Sequence, residues 1–153
     1  MLPELVARLS EIPGIIAIKE AAGSVQQVAD IYRLTKGAFT ILSGDDNLFL
    51  PMMSVGATGV ISVISNVLPA RVKALGQAFL DKRDIDDARA IHMELMPLFS
   101  AMFIETNPVP VKEALYQMAM IERDVRLPLC ELSEKNGAYL KEMLKGYGLV
   151  RRA

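Results

Sequence analysis

The chain opens on a helical pattern: Leu2, Leu5, Val6, Leu9 and Ile12 recur every three or four positions, and Pro13-Gly14 ends the run. "IIAIK" follows, an apolar stretch over residues 15–18 that closes on Lys19. A strand with one wet face alternates apolar and polar residues, whereas an unbroken run suits a parallel strand covered on both faces. A strand is therefore predicted over residues 15–19. Ser24 is placed to cap a helix whose apolar positions are Val25, Val28, Ile31 and Tyr32, with Gly37 at its C-terminal turn. A second strand is predicted over 39–43, ending at Gly44. Asp45, Asp46 and Asn47 then cap a short helix reaching about Val55. Gly56 and Gly59 bracket the turn into a third strand, 60–64, and Asn66 and Pro69 open a helix to about Lys82. Strands alternating with helices in this way indicate parallel, right-handed β-α-β units.

Beyond residue 82 no stretch reads as a strand. Asp84 caps a helix to about Ala101, with Pro97 inside it. "TNPVP" interrupts, helical spacing resumes over 111–121, "RLPLC" interrupts again, and Ser133 begins a last helix ending near Gly148. The expectation is one α/β domain over 1–153: three parallel β-α units in 1–82, then a helical region in 83–153. Three parallel strands cannot close on themselves, so this layout reads as the end of something larger.

Composition narrows the function classes. With 153 residues, 52% of them apolar, the chain is long enough for a real core. Its formal charge of -1 points to neither disorder nor a nucleic-acid surface. No run approaches a membrane span and the N-terminus lacks a signal-peptide layout, so a cytoplasmic protein is expected, with no membrane partner. Cys130, the single cysteine, excludes an internal disulfide and any CxxC metal pattern.

Lys19 is the candidate with chemistry. Alternation puts Ile15, Ala17 and Lys19 on one face of the strand, and Ile16, Ile18 and Glu20 on the other. A lysine ending an apolar strand is either a snorkelling charge paired with an acid or a nucleophile; desolvation favours its neutral amine, which attacks ketones. "SGDD" invites a metal reading, but without a third carboxylate at useful spacing the aspartates are expected as helix caps. Gly44, at a strand end, lets backbone approach a ligand closely or simply packs. His92 lies in a helical run, as a surface or packing residue. Met93 and Met96 read as adaptable core, and "GATG" is too short for a dinucleotide fingerprint.

"IAIKEAAGS", then "LSGDD", then "GATGVISVISN", with "NPVPVKEAL" and "VRLPL" further on, resemble the dihydrodipicolinate synthase / N-acetylneuraminate lyase family. That resemblance implies the C-terminal part of a (β/α)8 TIM barrel, its strands six to eight, followed by the family's helical C-terminal region. Met1 then falls mid-barrel, as in a truncated frame, a natural fragment or a split enzyme. The implied activity is a Schiff-base-forming, pyruvate-dependent lyase without a cofactor or metal, condensing pyruvate with aspartate semialdehyde in lysine biosynthesis. A related pyruvate aldolase such as N-acetylneuraminate lyase, or a non-catalytic half-barrel acting as an interaction module, are the alternatives. By the same resemblance Lys19 forms the Schiff base, while Gly44 and the Ile61 backbone line the keto-acid pocket. The family's tyrosine-threonine proton relay and its arginine for the second substrate have no matching motif, and Tyr32, Tyr116, Tyr139 and Tyr147 fall on helices. A small aldehyde as second substrate, and a homo-oligomer or a complementing N-terminal half-barrel as partner, complete the expectation.

Overall fold

A computed structural model describes residues 1–150. They form two compact units, one from Met1–Ser62 and Lys73–His92, the other from Val63–Val72 and the chain from Met93 on.

The first unit holds the sheet. Helix α1 (Pro3–Ser10) starts with proline, whose missing N–H costs nothing in a first turn. Strand β1 (Ala17–Glu20) follows, then α2 (Val25–Leu34), β2 (Thr40–Ser43), a 3₁₀ turn over Asp46–Leu48, α3 (Phe49–Met53) and β3 (Gly59–Val60). The strands are parallel in the order β1-β2-β3, so the second sits in the middle as barrel succession requires. Lys19 pairs with Leu42 and Glu20 with Ser43; Leu42 and Ser43 pair onward with Gly59 and Val60. Side chains in register share a face. Ile18, Ile41, Glu20 and Ser43 therefore point one way, and Ala17, Lys19, Thr40, Leu42 and Gly59 the other.

Among the described residues only the first of these faces is covered; on the other, Lys19 and Thr40 are exposed. Ile41 is fully buried with Val6, Val28, Ile31, Phe39, Met52 and Ala57, and Ile18 packs against that cluster. The α2 helix supplies Val28 and Ile31 to it, and the Ser24 hydroxyl accepts the Gln27 N–H at 3.1 Å, as the capping pattern predicted. At its far end the Gly37 N–H closes on the Tyr32 carbonyl with φ of 70°, a conformation glycine adopts without strain.

Several boundaries differ from the pattern-based expectation. β1 begins at Ala17 rather than Ile15, because Gly14 (φ 92°) and an Ile15 N–H bond to the Ile12 carbonyl close a turn over residues 12–15, and Ile16, outside the ladder, is 78% exposed. β2 begins at Thr40, one residue late. The predicted third strand, 60–64, is only Gly59–Val60: the ladder closes with the Ile61 N–H on the Ser43 carbonyl, where β2 ends, and Ile64–Asn66 turns as 3₁₀ helix. Asp45 occupies the N-cap position but its side chain caps nothing there. The Ser43 hydroxyl instead donates to the Asp45 carbonyl and accepts the Asp45 N–H, closing the turn from the strand side.

Helix α4 (Pro69–Leu80) leads to α5 (Ile85–Ala101), where the Asp84 carboxylate caps the Asp87 N–H at 2.9 Å. Pro97 lies inside α5. The second unit continues with α6 (Val109–Gln117) and α7 (Glu134–Gly146) packed on one another. α6 starts and stops earlier than the predicted 111–121, since Pro110 fits its first turn and Ala119 takes φ 57°. Ser133 stands at the N-cap of α7: its carbonyl accepts the Gly137 N–H at 2.8 Å, but its side chain makes no capping bond. Its hydroxyl and N–H both go to Glu105, which also accepts from Asn136 and is held below the usual carboxylate range by these donors. Buried Glu113 accepts from Arg123 at 2.7 Å and from Gln117 at 2.8 Å, pinning the 118–132 loop to α6.

Candidate active site

Lys19 is the penultimate residue of β1 and lies toward its C-terminal end. Its side chain is on the face opposite the core, among Ala17, Thr40, Leu42 and Gly59, and it is exposed. No other strand position on that face carries a titratable group.

Gly44, directly after β2, is what allows the lysine stem its path. A Cβ built on Gly44 would lie 2.8 Å from Lys19 Cε, 2.5 Å from Ala21 Cβ and 3.3 Å from Ala21 Cα. Any side chain at 44 would occupy the space that the lysine stem and the Ala21 turn now fill. Gly59 serves a similar purpose one strand on, where a Cβ would meet Leu42 Cδ2 at 2.9 Å. Lys19 and Gly44 are thus brought into contact, across the register step from β1 to the end of β2.

Ile61 follows β3 and is 46% exposed. Its N–H is committed to the Ser43 carbonyl at 2.8 Å, so backbone contact with a ligand falls to its carbonyl. The three sequence-derived site residues therefore lie at the C-terminal ends of β1, β2 and β3: Lys19 inside β1, Gly44 and Ile61 directly after β2 and β3.

Two residues at these strand ends were not among the site residues expected from the sequence. Glu20 is 3% exposed, points to the core face, and accepts the Ala22 N–H at 2.8 Å, while its main-chain carbonyl accepts the Gly44 N–H at 2.8 Å. Ser43, fully buried, shapes the next turn through Asp45. An acid placed after an apolar strand and before "AAGS" was the available signal for Glu20.

The remaining candidates lie elsewhere. Among the described residues no three His, Cys, Asp or Glu side chains group as a metal site would need. His92 is a buried packing residue of α5, its imidazolium disfavoured by burial. Cys130 is exposed and free. Tyr32, Tyr116 and Tyr139 sit on α2, α6 and α7, and Tyr147 follows α7. A hollow of about 340 Å³ lined by Tyr32, Phe39, Met53, Phe79 and Arg83 includes Thr40 and Thr58, at the opposite strand ends from Lys19. Among the described residues no helix is long and apolar enough to cross a membrane.

Comparison with known proteins agrees with this architecture. The model of the dihydrodipicolinate synthetase family matches residues 1–147. A 4-hydroxy-tetrahydrodipicolinate synthase of Syntrophus aciditrophicus is 49% identical over 150 residues, 98% of this chain and 51% of that protein. The crystal structure of dihydrodipicolinate synthase from Aquifex aeolicus superposes with a TM-score of 0.94 at 44% identity, over 99% of this chain and 52% of that one. The chloride-inhibited dihydrodipicolinate synthase from Acinetobacter baumannii, complexed with pyruvate, gives 0.92 at 33% identity, over 97% and 51%. The chain spans about half the length of the curated relatives it matches. Three parallel β-α units followed by helices, with a lysine and two strand-end partners on one edge, are thus part of a (β/α)8 barrel, and the chain belongs to the dihydrodipicolinate synthetase family.

Proposed function

We propose that Lys19 forms a Schiff base with pyruvate, and that the chain supplies the imine-forming part of a lyase of the 4-hydroxy-tetrahydrodipicolinate synthase type. The observation that carries the reading is the placement of Lys19: at the C-terminal end of a parallel barrel strand, on the face away from the core, its stem laid against a glycine. The neutral amine attacks the keto carbon and water leaves. The protonated imine then draws electrons from the adjacent methyl carbon, which loses a proton and attacks an aldehyde; aspartate semialdehyde is the proposed partner. Gly44 and the Ile61 carbonyl are proposed to border the bound keto acid. The Acinetobacter relative complexed with pyruvate supports that choice of substrate.

The strand positions on this face offer no second titratable group for the proton transfers, which contribute roughly 10²–10⁴-fold in rate. We propose that these come from a polypeptide that completes the sheet, either further barrel strands or another copy of the chain. A non-catalytic interaction role is the second reading, favoured by the uncovered sheet face with Ile61 exposed on its edge.

Borohydride reduction in the presence of pyruvate, followed by peptide mass spectrometry, tests the assignment. One adduct is expected, on Lys19, and none in Lys19→Ala. An adduct yield unaltered by that substitution would overturn it.

A further inference from the structure

Glu20 is a buried carboxylate that the proposed chemistry does not use. Lys19 and Glu20 are consecutive, so the strand sends them to opposite faces: the amine outward, the acid into the layer beneath the sheet. Burying a carboxylate is costly unless its oxygens are hydrogen-bonded, and a methionine of similar volume would fill this site without that cost. What Glu20 does instead is hold the chain at two points. Its carbonyl takes the Gly44 N–H from the end of β2, and its Oε1 takes the Ala22 N–H, each at 2.8 Å. Ala21 is caught between them. Residues 21–23 are otherwise exposed, and Gly23 takes φ 71°, so nothing in their own packing fixes their course.

That course matters because Ala21 and Lys19 share one small space over Gly44. The position of a Cβ on Gly44 is 2.5 Å from Ala21 Cβ and 2.8 Å from Lys19 Cε. Moving the turn moves the Ala21 methyl that lies beside the lysine stem over Gly44. We infer that Glu20 is a positioning residue for Lys19: through its bond to the Ala22 N–H it sets the 21–23 turn, and the turn sets where the ε-amine is presented. The inference rests on the imine-forming role proposed for Lys19, and its test separates the two.

The full chain is compared with Glu20→Gln, which keeps the acceptor and drops the charge, and Glu20→Met, which keeps the volume and drops the acceptor. Two readings are taken per folded molecule, with the folded fraction measured by circular dichroism. One is the acylation of Lys19 relative to exposed Lys73 and Lys135, from the same digest. The other is the rate of borohydride-trapped pyruvate adduct. In Glu20→Met the Lys19 acylation ratio is expected to move to within about twofold of its value in urea, and trapping to slow about tenfold, inside the roughly 100-fold that one ångström of misplacement can cost. Glu20→Gln is expected to match the parent in both. A merely structural role would lower the melting temperature of Glu20→Met and leave both readings unchanged; that result, or a failure of Gln to restore them, overturns the inference. A parent ratio already equal to its value in urea also overturns it, since Lys19 is then not held. No pyruvate adduct on the parent, with the ratio still altered in Glu20→Met, overturns the imine reading and leaves the positioning role standing.

Discussion

Replacing Gly44 by alanine probes the contact on which the candidate site rests. The backbone at 44 does not take a positive φ, so alanine is not excluded there by conformation; the obstacle is space. The new methyl would sit 2.5 Å from Ala21 Cβ, where carbon atoms prefer about 3.5–4.0 Å, so Ala21 must withdraw by about 1 Å. The Ala21 Cα at 3.3 Å makes this a backbone movement, whereas Lys19 Cε, at 2.8 Å, ends a flexible stem and swings aside. Overpacking of this kind costs about 1–3 kcal/mol, and alanine returns about 0.4–1 kcal/mol by restricting the unfolded chain. The net expectation is a destabilisation of about 1–2 kcal/mol, a drop of about 0.5–1 M in the urea midpoint at a typical slope. The displaced amine is expected to trap pyruvate about tenfold more slowly per folded molecule. Urea titration followed by circular dichroism gives the first number, and timed borohydride quenching gives the second. Adding Ala21→Gly removes the obstructing methyl and should recover about half of the lost stability, a coupling that two independent sites would not show. An unchanged midpoint and an unchanged trapping rate in Gly44→Ala would refute the packing argument and the role given to Gly44.

Two further outcomes follow from burial and exposure. Burial holds the His92 pKa below its ordinary value of 6.5, so the unfolded chain takes up this proton first as pH falls; stability should decline below about pH 6.5. Urea midpoints between pH 8 and pH 5 should show that decline in the parent and a shallower one in His92→Gln; identical slopes would remove His92 from the account. Leu2 (71% exposed) and Ile16 each stand to gain up to about 1.5–3 kcal/mol if fully buried and the half-exposed Ile61 about half as much, and β1 and β3 each have an unpaired edge among the described residues. Sedimentation equilibrium at low micromolar concentration should therefore show self-association, and a cooperatively melting monomer would contradict the edge argument.

Much of this protein was legible from local pattern. Helical spacing located α1 and α2, start signals at Asn66, Pro69 and Asp84 located α4 and α5, and Ser24 and Asp84 cap the helices they precede because a capping bond spans only three residues. Alternation alone put Lys19 and Glu20 on opposite faces, since the side-chain period of a strand is intrinsic to its backbone. What lay beyond the sequence depended on partners far along the chain. Ser133 reads as a cap, yet its hydroxyl oxygen accepts nothing from its own helix and its O–H donates to the charged Glu105 carboxylate, 28 residues earlier. β3 is two residues long because a ladder runs only as far as the neighbouring strand, and β2 stops at Ser43. Gly44 looked like any strand-end glycine until the fold laid the Lys19 stem and Ala21 against it. Periodicity and capping are local energies, carried by a few consecutive residues; which side chain fills a given space is settled only when distant segments compete for it.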